Sequence, residues 1–202
     1  MLIYLLYITL LRQVFSLEIG EIAPDFTLID QYSSPISLST LLKNGSVVIL
    51  FFDKENSTLS TTELLAFQNN LNKFSQLNAS VVAITPNTHH ENLQFSASNN
   101  ISFPLLSDIG KCTFANWSVK TALPFLPLRT SYIIDPSGRI YSKHFNLFLP
   151  HLHVTTTLRS LRMLVNCETT THAFGKLSDF PYVRQNKYNG YMLRLFFQKL
   201  LA

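Results

Sequence analysis

The chain has 202 residues, of which 47% are hydrophobic and 14% are charged. This length supports one domain with a sizeable core, because a chain of this size buries roughly 70% of its unfolded surface. Two cysteines are too few for a disulfide framework or a four-cysteine zinc site, and the six histidines do not cluster with them at metal-ligand spacing. We therefore expect neither a metal ion nor a cofactor.

The net charge of +4 is unevenly distributed along the chain. Residues 168–202 carry five basic and two acidic side chains, which leaves the rest of the chain nearly neutral. A nucleic-acid-binding protein usually shows a basic stripe on one face of its folded body. The charge pattern therefore excludes nucleic acid as the expected partner.

The first residues of the chain are almost wholly apolar up to Arg12. Val14 and Ser16 then place small residues at positions −3 and −1 of a candidate cleavage after Ser16, which resembles a short secretory signal. The segment lacks the basic start that such signals carry, and the alternative is an N-terminal strand or helix. We treat residues 1–17 as a separate hydrophobic segment.

Three elements are predicted near the start of the folded body. Alternating apolar residues predict a β-hairpin over residues 25–38, with a turn at 32–35, and a short helical turn follows at 39–42. Residues 46–52 form a continuous run of β-branched and aromatic side chains. Such a run is typical of a strand that is buried on both faces of a layered sheet.

A helix is predicted from Thr61 to Leu77, where apolar residues recur at helical spacing. Thr61 or Thr62 would cap it, and Glu63 would lie in its first turn.

The remaining elements alternate between strands and helices. Strands are expected at 80–85, 103–106, 129–135 and 139–144, and helices at 89–98, 113–117 and 152–165. A βαβ unit followed by a β-hairpin and a helix is the thioredoxin-like arrangement. We predict an α/β fold of this type, with a central mixed sheet flanked by helices, in one domain over residues 18–166.

Five stretches resemble the peroxiredoxin family (the AhpC/TSA superfamily), specifically its bacterioferritin-comigratory or PrxQ branch. They share the order and the spacing of that family's motifs from about Gly20 to Val165. The stretches are residues 20–28 (GEIAPDFTL), 47–52 (VVILFF), 62–67 (TELLAF), 103–108 (FPLLSD) and 129–138 (RTSYIIDPSG).

The resemblance implies thiol-dependent reduction of hydrogen peroxide and organic hydroperoxides, with electrons from thioredoxin or another dithiol. In this family a cysteine thiolate attacks the peroxide O–O bond and becomes a sulfenic acid. The surrounding pattern is P-x-x-x-T-x-x-C, in which the threonine hydroxyl and a distant arginine hold the peroxide and favour the thiolate.

The chain departs from this pattern at the nucleophile. By the resemblance, Ser60 occupies the position of the peroxidatic cysteine, Ser57 that of the threonine and Asp53 that of the proline. Arg129 is retained, and Leu65 stands where many relatives carry a resolving cysteine. A serine hydroxyl is almost entirely protonated at pH 7, whereas a thiol, with a pKa of about 8.5, is partly ionised to the reactive thiolate. We therefore predict that peroxidase activity is impaired or absent.

Two alternatives remain open at the site. Cys112, near the start of the short helix at 113–117, could serve as another thiol, or it could be a small buried hydrophobe. Arg129 could bind a ligand, or it could pair with Asp53 or Glu63 and order the loop.

Two further features carry weaker predictions. His151 and His153 flank the last helix and, with neither a carboxylate nor a thiolate beside them in the sequence, are weak evidence for a metal. The basic, aromatic extension at 167–202 is predicted to dock onto the domain, the alternatives being a partner or a membrane surface.

The sequence supports two functional hypotheses. The first is a peroxiredoxin-like antioxidant enzyme that acts on hydroperoxides. The second is a catalytically dead thioredoxin-fold module for binding or regulation.

Overall fold

A computed structural model describes residues 17–52, 58–119, 129–145 and 150–174 of the chain. The chain divides into two compact units, residues 1–164 and 165–202, and the fold below is that of the first unit. The predicted signal segment and the segment 175–202 lie outside the described residues. The division into domains at residues 17 and 166 stays a prediction.

The described residues form seven strands and six α-helices. The strands are β1 (Thr27–Ile29), β2 (Pro35–Ser37), β3 (Ser46–Phe52), β4 (Ala79–Thr85), β5 (Leu105–Ser107), β6 (Arg129–Ile134) and β7 (Ile140–Phe145). The helices are α1 (Leu38–Leu41), α2 (Thr58–Gln68), α3 (Leu71–Gln76), α4 (His89–Asn99), α5 (Cys112–Asn116) and α6 (Pro150–Phe174), and a 3-10 turn at Leu42–Asn44 follows α1.

The strands form one mixed sheet in the order β2-β1-β5-β4-β3-β6-β7. The central strand β3 pairs in parallel with β4 and antiparallel with β6, and β4 pairs in parallel with β5. The β1–β2 hairpin extends one edge and β7 forms the other. This topology confirms the predicted thioredoxin-like α/β fold and its N-terminal hairpin.

Strand β3 is buried at all seven positions, as its apolar run predicts. Because successive side chains of a strand point to opposite faces, it supplies both hydrophobic clusters of the core. Val48, Leu50 and Phe52 belong to the cluster on what we call the first face, which is covered by α2, α3, α4 and α6. Val47, Ile49 and Phe51 belong to the cluster on the second face, which is covered by α1 and α5.

The helix predicted over 61–77 is wrong, because two helices occupy this stretch. α2 ends at Gln68, and Asn70 takes a non-helical conformation with φ −116° and ψ 10°. Its side-chain amide donates to the Ala66 carbonyl at 2.8 Å, so it satisfies a carbonyl in the last turn of α2 and favours a stop there.

The start and end of two helices also differ from the predictions. Because α2 begins at Thr58, neither Thr61 nor Thr62 caps it, and Glu63 lies beyond its first turn. The last helix, predicted over 152–165, runs from Pro150 to Phe174. Among the described residues, no helix is both long enough and apolar enough to cross a membrane.

Candidate functional site

Ser60 lies in the first turn of α2, the helix that follows the central strand β3. Its side chain is 1% exposed. Leu64 and Phe67, one and two turns further along, are fully buried in the first-face cluster. This apolar stripe turns the Ser60 side of the helix towards the sheet, since residues three or four apart share one helix face.

Arg129 begins strand β6, and its backbone pairs with Phe52 at the end of β3. The carboxyl end of β3 and the start of β6 therefore lie side by side at one edge of the sheet. The side chain of Arg129, and Ser57 and Asp53 altogether, lie outside the described part of the molecule. The contact between Ser60 and Arg129 stays a prediction.

Glu63 is fully buried one helical turn after Ser60, and its carboxylate accepts a hydrogen bond from Nδ1 of His153 on α6. The other ring nitrogen, Nε2, hydrogen-bonds to Ser131 Oγ on β6 at 2.7 Å. Ser131 Oγ also lies 3.4 Å from Thr157 Oγ1, which donates to the His153 carbonyl at 2.8 Å. We call Glu63, His153, Ser131 and Thr157 the buried polar chain.

The buried polar chain was not predicted from the sequence. No carboxylate lies beside His153 in the sequence, but the fold brings Glu63 to it from 90 positions away. One signal was available: His153 and Thr157 precede Leu161 at spacings of four, on the apolar stripe of α6. Polar residues on such a stripe become buried and must find partners.

A metal site is not supported by the described residues, where no group of three or more His, Cys, Asp or Glu side chains converges. Both ring nitrogens of His153 are engaged by protein groups. The side chain of His151 lies outside the described residues.

A polar groove of about 560 Å³ lies between the first turns of α2 and helix α4. Its lining residues are Thr61, Asn87, Glu91, Gln94, Phe95, Ser98 and Asn99. Hydrogen bonds from the Thr88 backbone and hydroxyl lower the pKa of Glu91, so this carboxylate is ionised at neutral pH. The lining of the groove therefore carries a negative charge.

Cys112 is the first residue of α5, and its side chain is exposed. The expectation of a small buried hydrophobe at this position is therefore wrong. Two residues later, Phe114 is buried in the second-face cluster, with its ring centroid 5.1 Å from that of Phe51. Helix α5 thus packs on the face of the sheet opposite to α2.

Comparison with known proteins agrees with this architecture. The model of the AhpC/TSA family matches residues 19–143. The chloroplastic peroxiredoxin Q of Sedum lineare is 33% identical over 146 residues, which cover 72% of this chain and 78% of that protein. The corresponding protein of Oryza sativa subsp. japonica is 32% identical, over 72% of this chain and 67% of that protein.

A solved structure shows the same fold. The crystal structure of peroxidoxin BcpB from Mycobacterium tuberculosis has a TM-score of 0.68 and 28% identity, and the match covers 73% of this chain and 98% of that chain. Sequence and structure lead to one conclusion: the chain is a member of the AhpC/TSA family of peroxiredoxin-like proteins.

Proposed function

We propose that this chain is a peroxiredoxin-like protein in which the thiol peroxidase step is impaired or lost at residue 60. Peroxiredoxins use thiol reductants and peroxide substrates. The observation that carries the proposal is the serine at residue 60, buried in the first turn of the helix that follows the central strand.

The chemistry of the peroxidase step explains the loss. A thiolate attacks one peroxide oxygen, the O–O bond breaks, the thiol becomes a sulfenic acid and the other oxygen leaves as water or an alcohol. A serine hydroxyl is barely ionised at neutral pH, and its oxygen is a poor nucleophile towards peroxide. Without an oxidised thiol at residue 60, a reductant such as thioredoxin has no product there to reduce.

A second candidate function follows from the exposure of Cys112. An accessible thiol reacts with peroxide at the slow rate of an ordinary cysteine unless nearby groups favour its thiolate. The second candidate is therefore a thiol peroxidase in which Cys112 reacts with peroxide and residue 60 plays no part. If neither thiol chemistry operates, the chain acts as a binding or regulatory module.

Peroxide consumption with dithiothreitol or a thioredoxin system as the electron donor tests the proposal. We expect the unaltered chain to stay near background and Ser60→Cys to consume peroxide. Ser98→Cys, at an exposed position of α4, is the matched control for an added thiol and should show only ordinary thiol reactivity.

The same assay separates the candidates. Turnover by the unaltered chain that disappears in Cys112→Ala would establish the second candidate. A peroxide turnover rate close to that of a cysteine-bearing relative would overturn the proposal if it persists after both cysteines are replaced, because the reaction would then need no thiol.

A further inference from the structure

The buried polar chain joins the three elements around residue 60. Glu63 lies on α2, His153 on α6 and Ser131 on β6. The exposed fractions of these three residues are 0%, 2% and 0%, respectively. A buried carboxylate destabilises the folded state unless it is paired. His153 supplies a hydrogen-bonding partner for the buried Glu63 carboxylate.

The order of the groups is that of a serine hydrolase triad, since a hydroxyl meets one ring nitrogen and a carboxylate the other. However, a nucleophile must contact its substrate, and the Ser131 hydroxyl is fully buried beneath α6. The described residues therefore do not support hydrolysis at Ser131. Any influence of the buried polar chain is therefore on the residues beside it.

The neighbour that matters is residue 60. Glu63 follows Ser60 by three positions, which places the two side chains on one face of α2. A lone carboxylate at this spacing would oppose an anion at residue 60. His153 donates the compensating hydrogen bond to the Glu63 carboxylate.

The same histidine also fixes the geometry. Its two ring nitrogens contact Glu63 and Ser131, and they thereby connect α2 to β6 only two residues after Arg129. The ring of Phe67 packs edge-on against His153, with the centroids 6.0 Å apart, and restricts its rotation. One imidazole therefore sets the distance between the helix that carries Ser60 and the strand that begins with Arg129.

We propose that His153 is a positioning residue for the site at residue 60, which donates a hydrogen bond to Glu63 and holds the first turns of α2 against β6 through Ser131. The proposal rests on the proposed function, because it takes residue 60 as the nucleophile position.

The test uses Ser60→Cys as a reporter in a chain that also carries Cys112→Ala and Cys167→Ser, and it measures the pKa of the one remaining thiol from the pH dependence of alkylation by a neutral reagent. Adding His153→Gln should raise this pKa by about one unit, because glutamine places no donor at the position of the ring Nδ1 and the Glu63 carboxylate loses that hydrogen bond. The thiolate fraction at pH 7 would fall about tenfold. Adding Glu63→Gln as well should restore most of the shift, which a merely structural loss would not do.

His144→Gln is the matched control. His144 lies on β7 and hydrogen-bonds to a serine, Ser142, at 3.2 Å, but it does not contact Glu63 in the described structure. Its replacement should leave the thiol pKa within about 0.3 units, which is under half of the shift predicted for His153→Gln. Equal thiol pKa values in Ser60→Cys with and without His153→Gln would overturn the proposal.

A second measurement applies if His153→Gln does not fold. Ser131→Ala removes only the hydroxyl that links the ring to β6, and it should accelerate amide exchange in residues 60–64 at least tenfold. Ser142→Ala, which removes the matching hydroxyl beside His144, should not. Equal exchange in the two variants would contradict the positioning role.

The two proposals fail in different ways. If the unaltered chain consumes peroxide after both of its cysteines are replaced, the proposed function fails, and a His153-dependent pKa of the Ser60→Cys thiol still supports the positioning role. If the Ser60→Cys thiol reacts with peroxide but its pKa is the same with and without His153→Gln, the positioning role fails and the proposed function stands.

Discussion

Ser60 and Cys112 lie on helices that pack against opposite faces of the same sheet. Helix α2 reaches the first-face cluster through Leu64 and Phe67, whereas α5 reaches the second-face cluster through Phe114. The sheet between them is buried throughout β3. The buried sheet therefore separates the packed faces of the two helices.

This separation predicts that Cys112 takes no part in chemistry at residue 60. In Ser60→Cys/Cys167→Ser, the folded protein should form no disulfide between residues 60 and 112 after one equivalent of peroxide. Adding Cys112→Ala should leave the initial rate of sulfenic acid formation at residue 60 unchanged. Mass spectrometry of trapped peptides reads out both results, and a cross-linked peptide joining residues 60 and 112 at native pH would contradict them.

Restoring the cysteine should restore part of the reactivity. We expect Ser60→Cys to react with peroxide faster than free cysteine, because the family resemblance predicts that the hydroxyl of Ser57 and the charge of Arg129 favour the thiolate. Adding Asp53→Pro should raise the rate further, by up to about tenfold, since it removes a carboxylate and stiffens the loop. Stopped-flow kinetics with hydrogen peroxide measures both. If the double variant reacts no faster than free cysteine, the pocket has lost its function along with its nucleophile.

Most of the fold was predictable because its signals are local. Strand 46–52 is recognisable from seven consecutive apolar residues, and the hairpin at 25–38 from alternation around a turn. The break at Asn70 was missed because apolar residues keep their helical spacing across it, and only the asparagine side chain bonding back to Ala66 ends the helix.

The site was predictable only where it is local in sequence. The assignment of Ser60 to the site rests on the resemblance to the family pattern that follows the strand at 46–52, and it stays a prediction. The bond from Glu63 to His153 joins residues that are 90 positions apart, and each has an ordinary sequence context. Such pairing depends on how α6 packs across α2 and β6, so a single sequence carries little sign of it.

Gly45 should be intolerant of a side chain. It precedes β3 with φ +129°, and a Cβ there would lie 2.1 Å from the Asn78 carbonyl oxygen. Gly45→Ala should lower the free energy of unfolding by about 3 kcal/mol, because backbone must move at the junction of β3 and β4. Gly20→Ala is the control, since a Cβ at that φ of +94° meets nothing within 4 Å. Urea denaturation compares them, and equal losses would contradict the clash.

Tyr132 should stabilise the second face through its hydroxyl. The side chain is fully buried and donates to the Trp117 carbonyl at 3.0 Å, and burial raises its pKa so that it stays protonated. Tyr132→Phe should cost about 1–2 kcal/mol of unfolding free energy, since the carbonyl loses its buried donor. Tyr32→Phe, at a 65% exposed ring, should cost almost nothing. Indistinguishable denaturation midpoints for the two variants would show that the bond contributes little.

His144 should make the stability of the protein depend on pH. Burial, with a smaller contribution from nearby His153, lowers the pKa of His144 from 6.5 to about 4. Between these values the unfolded chain binds more protons at this residue than the folded protein does, so stability is complete above pH 6.5 and decreases as the pH falls towards 4. The loss from this residue is at most about 3 kcal/mol.

His144→Gln keeps a hydrogen-bonding partner for Ser142 but cannot titrate, so its unfolding free energy should vary less over this range. His89→Gln, at an exposed helix start, is the control. Urea unfolding at half-unit steps from about pH 4 to pH 7 measures the difference, and an unchanged slope in His144→Gln would show that another group dominates the acid response.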